Sequence, residues 1–372
     1  VSERWDELVA TRNETTRAAG RWRTIRSLRS GTPATTIVDG DRHVVSFASN
    51  DYLGLSQHPA VVAAAASALS AYGAGAGAAR LIVGSRPVHD ELEAALAARA
   101  GRHAALLFPT GFQANLGVIG ALVAAAPQVV VYSDELNHAS IIDGIRASRA
   151  QVQVYRHADV AHLAELMGAA PDRPALVVTD SVFSMDGDLA PLAELAELCD
   201  TTDALLVLDE AHAVLGPESP HGAVVVGTLS KTLGAVGGYV AADRSVIELC
   251  INTARSFIFT TAGAPADAAA ALAALEVAGS DEGDRLRARL RANIDLLRPG
   301  HPSPIVPILL GSEDRAVQVA DALVQRGLLV PAIRPPTVAP GTCRLRVALS
   351  AAHTLDEVLA LRDALDQLGV AP

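Results

Sequence analysis

Lys231, in Gly227-Thr228-Leu229-Ser230-Lys231-Thr232, is the only lysine among 30 basic residues; the rest are arginines. A solvated surface charge is served by either residue. A lysine amine, however, can lose its proton and form an imine with an aldehyde, which a guanidinium cannot do. One lysine surviving by chance is the bland reading, and the surroundings argue against it. Upstream, the apolar run Ala204-Leu205-Leu206-Val207-Leu208 ends in Asp209-Glu210-Ala211-His212. A buried strand delivering a carboxylate and an imidazole, followed by a short strand delivering a lone lysine, is the layout of a pyridoxal-phosphate site. There the lysine holds the aldehyde and the aspartate pairs with the pyridine nitrogen.

Three further features fit the same cofactor. Pro109-Thr110-Gly111-Phe112-Gln113 is a glycine turn opening a helix directly after a strand, where free backbone N–H groups suit a phosphate. Read alone, it is equally an ordinary strand–helix turn. Asn137-His138-Ala139-Ser140 follows another strand, so His138 either stacks on a planar ring or stands by while Asn137 caps a helix. Thr228 and Ser230 place hydroxyls beside Lys231. His212 is spaced to meet the phenolic oxygen of the ring. The Asp-x-x-His pair could also ligate a metal, but no second His/Cys cluster at ligand spacing completes such a site. No metal is expected. A phosphate-binding P-loop ending at Lys231 would need glycines where Val225 and Ser230 stand.

These residues need a scaffold, and the hydrophobic pattern supplies one. Apolar runs near 104–108, 129–132, 152–155, 175–179, 204–208 and 223–226 alternate with helical segments near 112–125, 138–148, 159–168 and 190–199. Such alternation predicts an α/β sheet, mainly parallel and covered on both faces, with ligands gathered outside the carboxyl ends of the strands. Gly111, His138, Ser184, Asp209 and Lys231 all fall at those ends. Before this region come a helix over 3–19, an arginine-rich stretch (Arg21, Arg23, Arg26, Arg29) and a short strand near 44–47. The arginines read as a solvated face or interface, with binding of an anionic substrate as the lesser reading. Gly73-Ala74-Gly75-Ala76-Gly77 follows a helical pattern rather than a strand, so it predicts a flexible loop and not a dinucleotide fingerprint. After helices near 265–278 and 284–298, strands at 305–310, 328–333 and 344–349 with helices at 314–326 and 354–368 describe a smaller α+β lobe. The expected division is an N-terminal helix and arm (1–45), a large cofactor-binding α/β domain (46–270) and a small C-terminal domain (271–372).

Composition narrows the class. Half of the 372 residues are hydrophobic but only 3% are aromatic, so the core is built of Ala, Val, Leu and Ile. A formal net charge of −11 without a basic run argues against nucleic acid as partner. Cys199, Cys250 and Cys343 are scattered, which fits a reducing compartment. The early charges at Glu3, Arg4, Asp6 and Glu7 do not read as a signal peptide, and the longest apolar segment is too short for a membrane span. A soluble cytoplasmic protein is expected.

Seven segments together carry a family resemblance: 50–55 (NDYLGL), 108–115 (FPTGFQAN), 136–144 (LNHASIIDG), 182–192 (VFSMDGDLAPL), 209–212 (DEAH), 227–231 (GTLSK) and 344–353 (RLRVALSAAH). In this order they resemble the α-oxoamine synthases, homodimeric pyridoxal-phosphate enzymes of the aspartate-aminotransferase fold (fold type I). Within that family, 332–338 (AIRPPTV) resembles the members that join L-alanine to a pimeloyl thioester in biotin synthesis, and not the glycine-using relatives. The resemblance implies that Lys231 is the Schiff-base lysine, Asp209 the pyridinium partner and His138 the stacking residue. It implies that Ser184 and His212 touch the ring, and that Gly111, Phe112, Thr228 and Ser230 surround the phosphate. Arg346 matches the arginine that holds the amino-acid carboxylate; Arg21, Asn50 and Thr337 match substrate-side positions. Thr260 and Thr261 match hydroxyls that reach the phosphate of the other subunit, although a buried turn is the alternative from the residues alone. Two departures touch the same loop: Ala213 stands where the family often has glycine, and the 216–227 connection is short. The rivals are another α-oxoamine synthase such as glycine C-acetyltransferase, an aminotransferase, or a non-catalytic scaffold on the same fold.

Overall fold

The computed structural model describes residues 2–30 and 35–371. Runs of Val, Leu and Ala that are buried on both faces form a central seven-stranded sheet, as such runs do when helices cover both sides. Its spatial order is Ala104–Phe108, Gly238–Ala242, Val224–Thr228, Leu205–Asp209, Ala175–Asp180, Val130–Asp134 and Gln151–Tyr155. Six of the seven run parallel. The exception is Gly238–Ala242, which lies antiparallel between Ala104–Phe108 and Val224–Thr228. Expectation missed this strand, because its two leading glycines break the apolar pattern.

The helices between the strands begin where local chemistry starts them. Thr110 caps the Gly111–Ala125 helix by accepting from the Gln113 N–H, and His138 caps Ala139–Ser148 by accepting from the Ser140 N–H. Proline at the first turn opens Pro59–Tyr72, Pro87–Arg99 and Pro265–Ala278. The alanine-rich faces of these three helices pack together, with Ala268, Ala271, Ala274 and Ala278 buried. The expected boundary at 270/271 falls inside the Pro265–Ala278 helix.

The C-terminal lobe holds an antiparallel sheet in which Cys343–Ala348 lies between Ile305–Gly311 and Ala332–Ile333. The single strand expected at 328–333 is two. Leu328–Leu329 pairs in parallel with Arg42–Ser46, completing a second small sheet with Thr36–Asp39 and Arg29–Ser30. Pro331, which has no N–H to donate, separates the two pieces. The glycine-rich loop after Tyr72 is pinned rather than loose. It leads into a turn at Arg80–Gly84, where Arg80 donates to Glu93 Oε1 at 2.8 Å and to Ser85 Oγ at 3.0 Å. Among the described residues, no helix is long and apolar enough to cross a membrane.

Candidate active site

The carboxyl ends of the parallel strands converge as the pattern predicts. Asp209 and Asp180 close neighbouring strands in direct register. Thr228 closes the next strand and hands the chain on to Lys231. Two arginines two residues apart, Arg344 and Arg346, point the same way from the Cys343–Ala348 strand, as period-two alternation requires.

Lys231 Nζ stands 2.8 Å from His212 Nε2. His212 Nδ1 is 2.6 Å from the Tyr52 hydroxyl, and Tyr52 also reaches Asn50 Oδ1 at 3.2 Å. Arg346 Nη1 donates to the same Asn50 oxygen at 3.1 Å. Loss of water around the amine lowers the Lys231 pKa to about 8; Asp209 and Asp180 oppose that shift, and Arg346 adds to it. Burial, with Lys231 and Arg346 as neighbouring cations, pushes His212 well below its ordinary value, so its imidazole is neutral.

Asp209 is buried and held at both oxygens. Asn115 Nδ2 donates to Oδ2 at 2.7 Å and the Ala211 N–H donates to Oδ1 at 2.8 Å. Burial and the Asp209 charge push the Asp180 pKa well above the carboxylate range, while its Oδ2 accepts from the His138 N–H at 2.8 Å. His138 Nδ1 lies 2.7 Å from the Ser140 hydroxyl, which takes a hydrogen bond from Asn115 Nδ2. The imidazole expected to stack on a ring is therefore tied to the amide that holds the expected ring partner.

The residues expected to cradle an anion also come together. Gly111 opens its helix beside Thr228, and a Cβ at Gly111 would come within 3.3 Å of Thr228 Cβ. Gly238 backs the same turn so closely that a Cβ there would meet the Gly111 nitrogen at 2.4 Å. Thr228 Oγ1 and Ser230 Oγ are 2.7 Å apart, and Phe112 is exposed at the helix start. A helix N-terminus, two hydroxyls, a buried carboxylate and a lysine with a lowered pKa form a donor set that fits pyridoxal phosphate.

The expected substrate side, around Arg346, is bordered by a loop without regular structure. Arg346, buried, donates from Nε to the Ser184 carbonyl; Arg344 binds the Asp186 carboxylate and donates to the Met185 carbonyl at 3.5 Å. Gly187 in this loop has φ +68°, and a Cβ there would lie 2.0 Å from the Ile305 carbonyl, so only glycine fits. A cleft of roughly 750 Å³ opens beside the loop, lined by Leu136, Ile142, Phe183, Met185, Thr337 and Val338 among others. Arg21 and Thr337 come together at a smaller pocket that adjoins the cleft through Pro335 and Thr337. The Arg21 guanidinium is engaged there by Glu313 at 2.7 Å.

The far end of the loop is fastened by His157, which bridges Asp134 at 3.1 Å and Asp188 at 2.7 Å and stands edge-on against Phe183. The Asp134 bond, then the Asp188 bond, raise its pKa to about 10. A raised histidine pKa stabilises the fold fully below its unfolded value near 6.5, and that contribution is lost as pH rises through about 10. His157→Gln is therefore expected to destabilise the protein by about 2 kcal/mol at pH 6. The difference should vanish near pH 10.5 in denaturant unfolding. An equal loss at both pH values would contradict the charged bridge.

Thr260 Oγ1 accepts from Gln113 Nε2 of its own chain at 3.3 Å, and Thr261 is exposed beside it. Thr260 thus sits next to the helix that opens the anion cradle. Sequence reasoning missed Tyr52, Asn115, Ser140 and Asp180, whose partners lie 25 to 160 residues away. Tyr52, Asn115 and Ser140 fall inside segments that carry the family resemblance but have no role of their own assigned there, and Asp180 lies in none of them.

The family model for aminotransferases of class I and II matches residues 42–365. The 8-amino-7-oxononanoate synthase of Anaeromyxobacter dehalogenans is 53% identical over 341 residues, covering 86% of this chain and 85% of that protein. Among solved structures, serine palmitoyltransferase from S. paucimobilis with bound PLP–myriocin is 28% identical at a TM-score of 0.87, with 98% of each chain covered. The 8-amino-7-oxononanoate synthase of Francisella tularensis is also 28% identical, at a TM-score of 0.73 over 88% of this chain and 98% of that one. The likeness runs through the sheet, the lysine turn and the arginine strand alike, and the chain belongs to the 8-amino-7-oxononanoate synthase family.

Proposed function

We propose that this chain, with pyridoxal phosphate, condenses L-alanine with a pimeloyl thioester of coenzyme A or of an acyl carrier protein. Carbon dioxide and the thiol are released, and 8-amino-7-oxononanoate is formed. The observation that carries the reading is the Lys231 amine, 2.8 Å from a neutral His212 and within electrostatic reach of buried Asp209 and Arg346.

Pyridoxal phosphate, when bound, supplies an aldehyde for the amino group and a protonated ring that accepts the electron pair left at the α-carbon. Asp209 would keep the proton on the ring nitrogen; Asn115 and Ala211 hold its carboxylate in place. His138, Ser184 and His212 would hold the ring. Gly111, Phe112, Thr228 and Ser230 would hold the phosphate. Arg346 grips the alanine carboxylate through its guanidinium, with Asn50 orienting it. The Lys231 amine removes the α-proton and returns a proton to the product carbon. Its pKa near 8 makes it a competent base close to neutral pH. The apolar cleft receives the acyl chain, with Arg21 and Thr337 at its outer end.

The test is a panel of acyl thioesters assayed against alanine, glycine and serine, following free thiol. Highest turnover with alanine and the pimeloyl donor is expected. Preference for glycine and a short acyl donor would favour a glycine-using relative, and transamination without thioester an aminotransferase. Absence of a borohydride-sensitive chromophore would favour a scaffold.

The chain is further read as a cytoplasmic homodimer. Leu81, Ile82 and Val83 on the Arg80–Gly84 turn, and Phe259 beyond the neighbouring short helix, are exposed apolar side chains on adjacent segments near the cradle. Thr260 and Thr261 follow them and reach the partner's phosphate in this reading. Sedimentation of a monomer would exclude the shared site. The division into arm, large lobe and small lobe is retained, with the Pro265–Ala278 helix straddling the boundary between the lobes.

A further inference from the structure

The chain of contacts from Lys231 to Arg346 has a polarity that its end groups fix. Arg346 can only donate, and so can Lys231 when protonated. Asn50 Oδ1, which takes Arg346 Nη1 at 3.1 Å and Tyr52 at 3.2 Å, is the one acceptor into which both ends can run. If the Tyr52 proton points to Asn50, its oxygen is free to accept from His212 Nδ1 at 2.6 Å, and the Nε2 lone pair faces Lys231 Nζ at 2.8 Å. Every group is then satisfied whether Lys231 is charged or neutral. In the opposite arrangement His212 Nε2–H would point at Lys231, which works only for a neutral amine. Tyr52 is fully buried, and burial raises its pKa to about 12, so it keeps its single proton.

We propose that Tyr52 is a positioning residue for the reaction. It fixes His212 as the Nδ1–H tautomer, with the Nε2 lone pair turned to the Lys231 amine, and links that pair through Asn50 to the arginine that receives the substrate carboxylate. A carboxylate drawing on Arg346 leaves Asn50 Oδ1 a stronger acceptor for Tyr52. Along a polarised chain this strengthens the pull of His212 on a Lys231 proton. Alanine binding is thereby coupled to the readiness of the base. The role of Lys231 and Arg346 rests on the function proposed above; the tautomer does not.

The test uses the full chain labelled with ¹⁵N-histidine, first without added cofactor so that Lys231 is a free amine. His212 is assigned by loss of its signals in His212→Gln. At about pH 9.5, where Lys231 with its pKa of about 8 is neutral and no longer dictates the tautomer by itself, wild-type His212 is expected to carry its proton on Nδ1 alone, and Tyr52→Phe to show a mixture of both tautomers. Loaded with pyridoxal phosphate, Tyr52→Phe should exchange the α-proton of alanine about tenfold more slowly. Its affinity for alanine, read from cofactor absorbance, should change by less than about threefold. A wild-type His212 protonated on Nε2 overturns the proposal without any variant. So does a Tyr52→Phe protein that melts lower yet keeps the wild-type tautomer and exchange rate, since Tyr52 would then only support packing. If no pimeloyl donor is turned over, the tautomer result still stands or falls by itself.

Discussion

Lys231→Arg is expected to abolish condensation and leave the fold intact. The substitution keeps a cation at the end of the Val224–Thr228 strand, so the charge balance with Asp209 and Asp180 survives. It removes the one amine able to join an aldehyde and the one base of pKa near 8 at the site. Loss of the base alone costs about 10²–10⁴-fold in proton transfer. The exchange of the alanine α-proton for solvent deuterium, followed without thioester, isolates this step. In the wild type it should rise with pH through about 8 as Lys231 loses its proton; in the variant it should be lost at every pH. Exchange at a tenth of the wild-type rate or better would remove Lys231 from its role.

Asp209→Asn should be nearly as damaging, by a different route. The Ala211 N–H can still donate to the amide oxygen of an asparagine. The new amide nitrogen would face Asn115 Nδ2, now 2.7 Å from Oδ2, and donor would meet donor. Asn115 can relieve this by flipping, because its own Oδ1 is buried without a partner. The variant should therefore fold and bind pyridoxal phosphate, though more weakly. What it cannot do is keep a positive charge on the ring nitrogen. Loss of one preorganised electrostatic partner costs on the order of 10²–10³-fold, read again in α-proton exchange. Calorimetry should place its melting temperature close to that of the wild type. A native exchange rate in this protein would refute the assigned role of Asp209.

The parts of the molecule visible in the sequence were those whose physics is local. Leu205–Asp209 and Val224–Thr228 announce themselves as apolar runs, and the residues at their ends, Asp209 and Lys231, follow from the run. Gly238–Ala242 did not, because Gly238 lets Gly111 approach and Gly237 lets Leu229 approach, and the two glycines erase the strand pattern. The 328–333 segment read as one strand because its residues are apolar throughout, whereas its two halves pair with two different sheets. Tyr52, Asn115 and Asp180 were invisible as site residues for a third reason. Each acts on a functional group through a hydrogen bond to a residue distant in sequence, and no spacing rule reports such a bond. Arg80 shows the converse: the glycines beside it predict a loose loop, and two bonds to Glu93 and Ser85 fix its exit.

The loop over 182–189 lines the cleft proposed for the acyl chain while forming no strand or helix of its own beyond a single Val182–Leu189 bridge. Arg344 and Arg346 hold its middle from the small lobe, Gly187 lies against Ile305, and His157 holds its end from the large one. Left to itself such a segment would sample many conformations, and ordering it on contact with substrate would cost about 1–2 kcal/mol per residue in backbone entropy. Here that cost falls on folding, before alanine or thioester arrives, so binding need not order it. The same fastening means that the two lobes meet in the loop that shapes the pocket. Mutations deep in either sheet that loosen one anchor should then surface as weaker substrate affinity, in a protein whose catalytic groups are all intact.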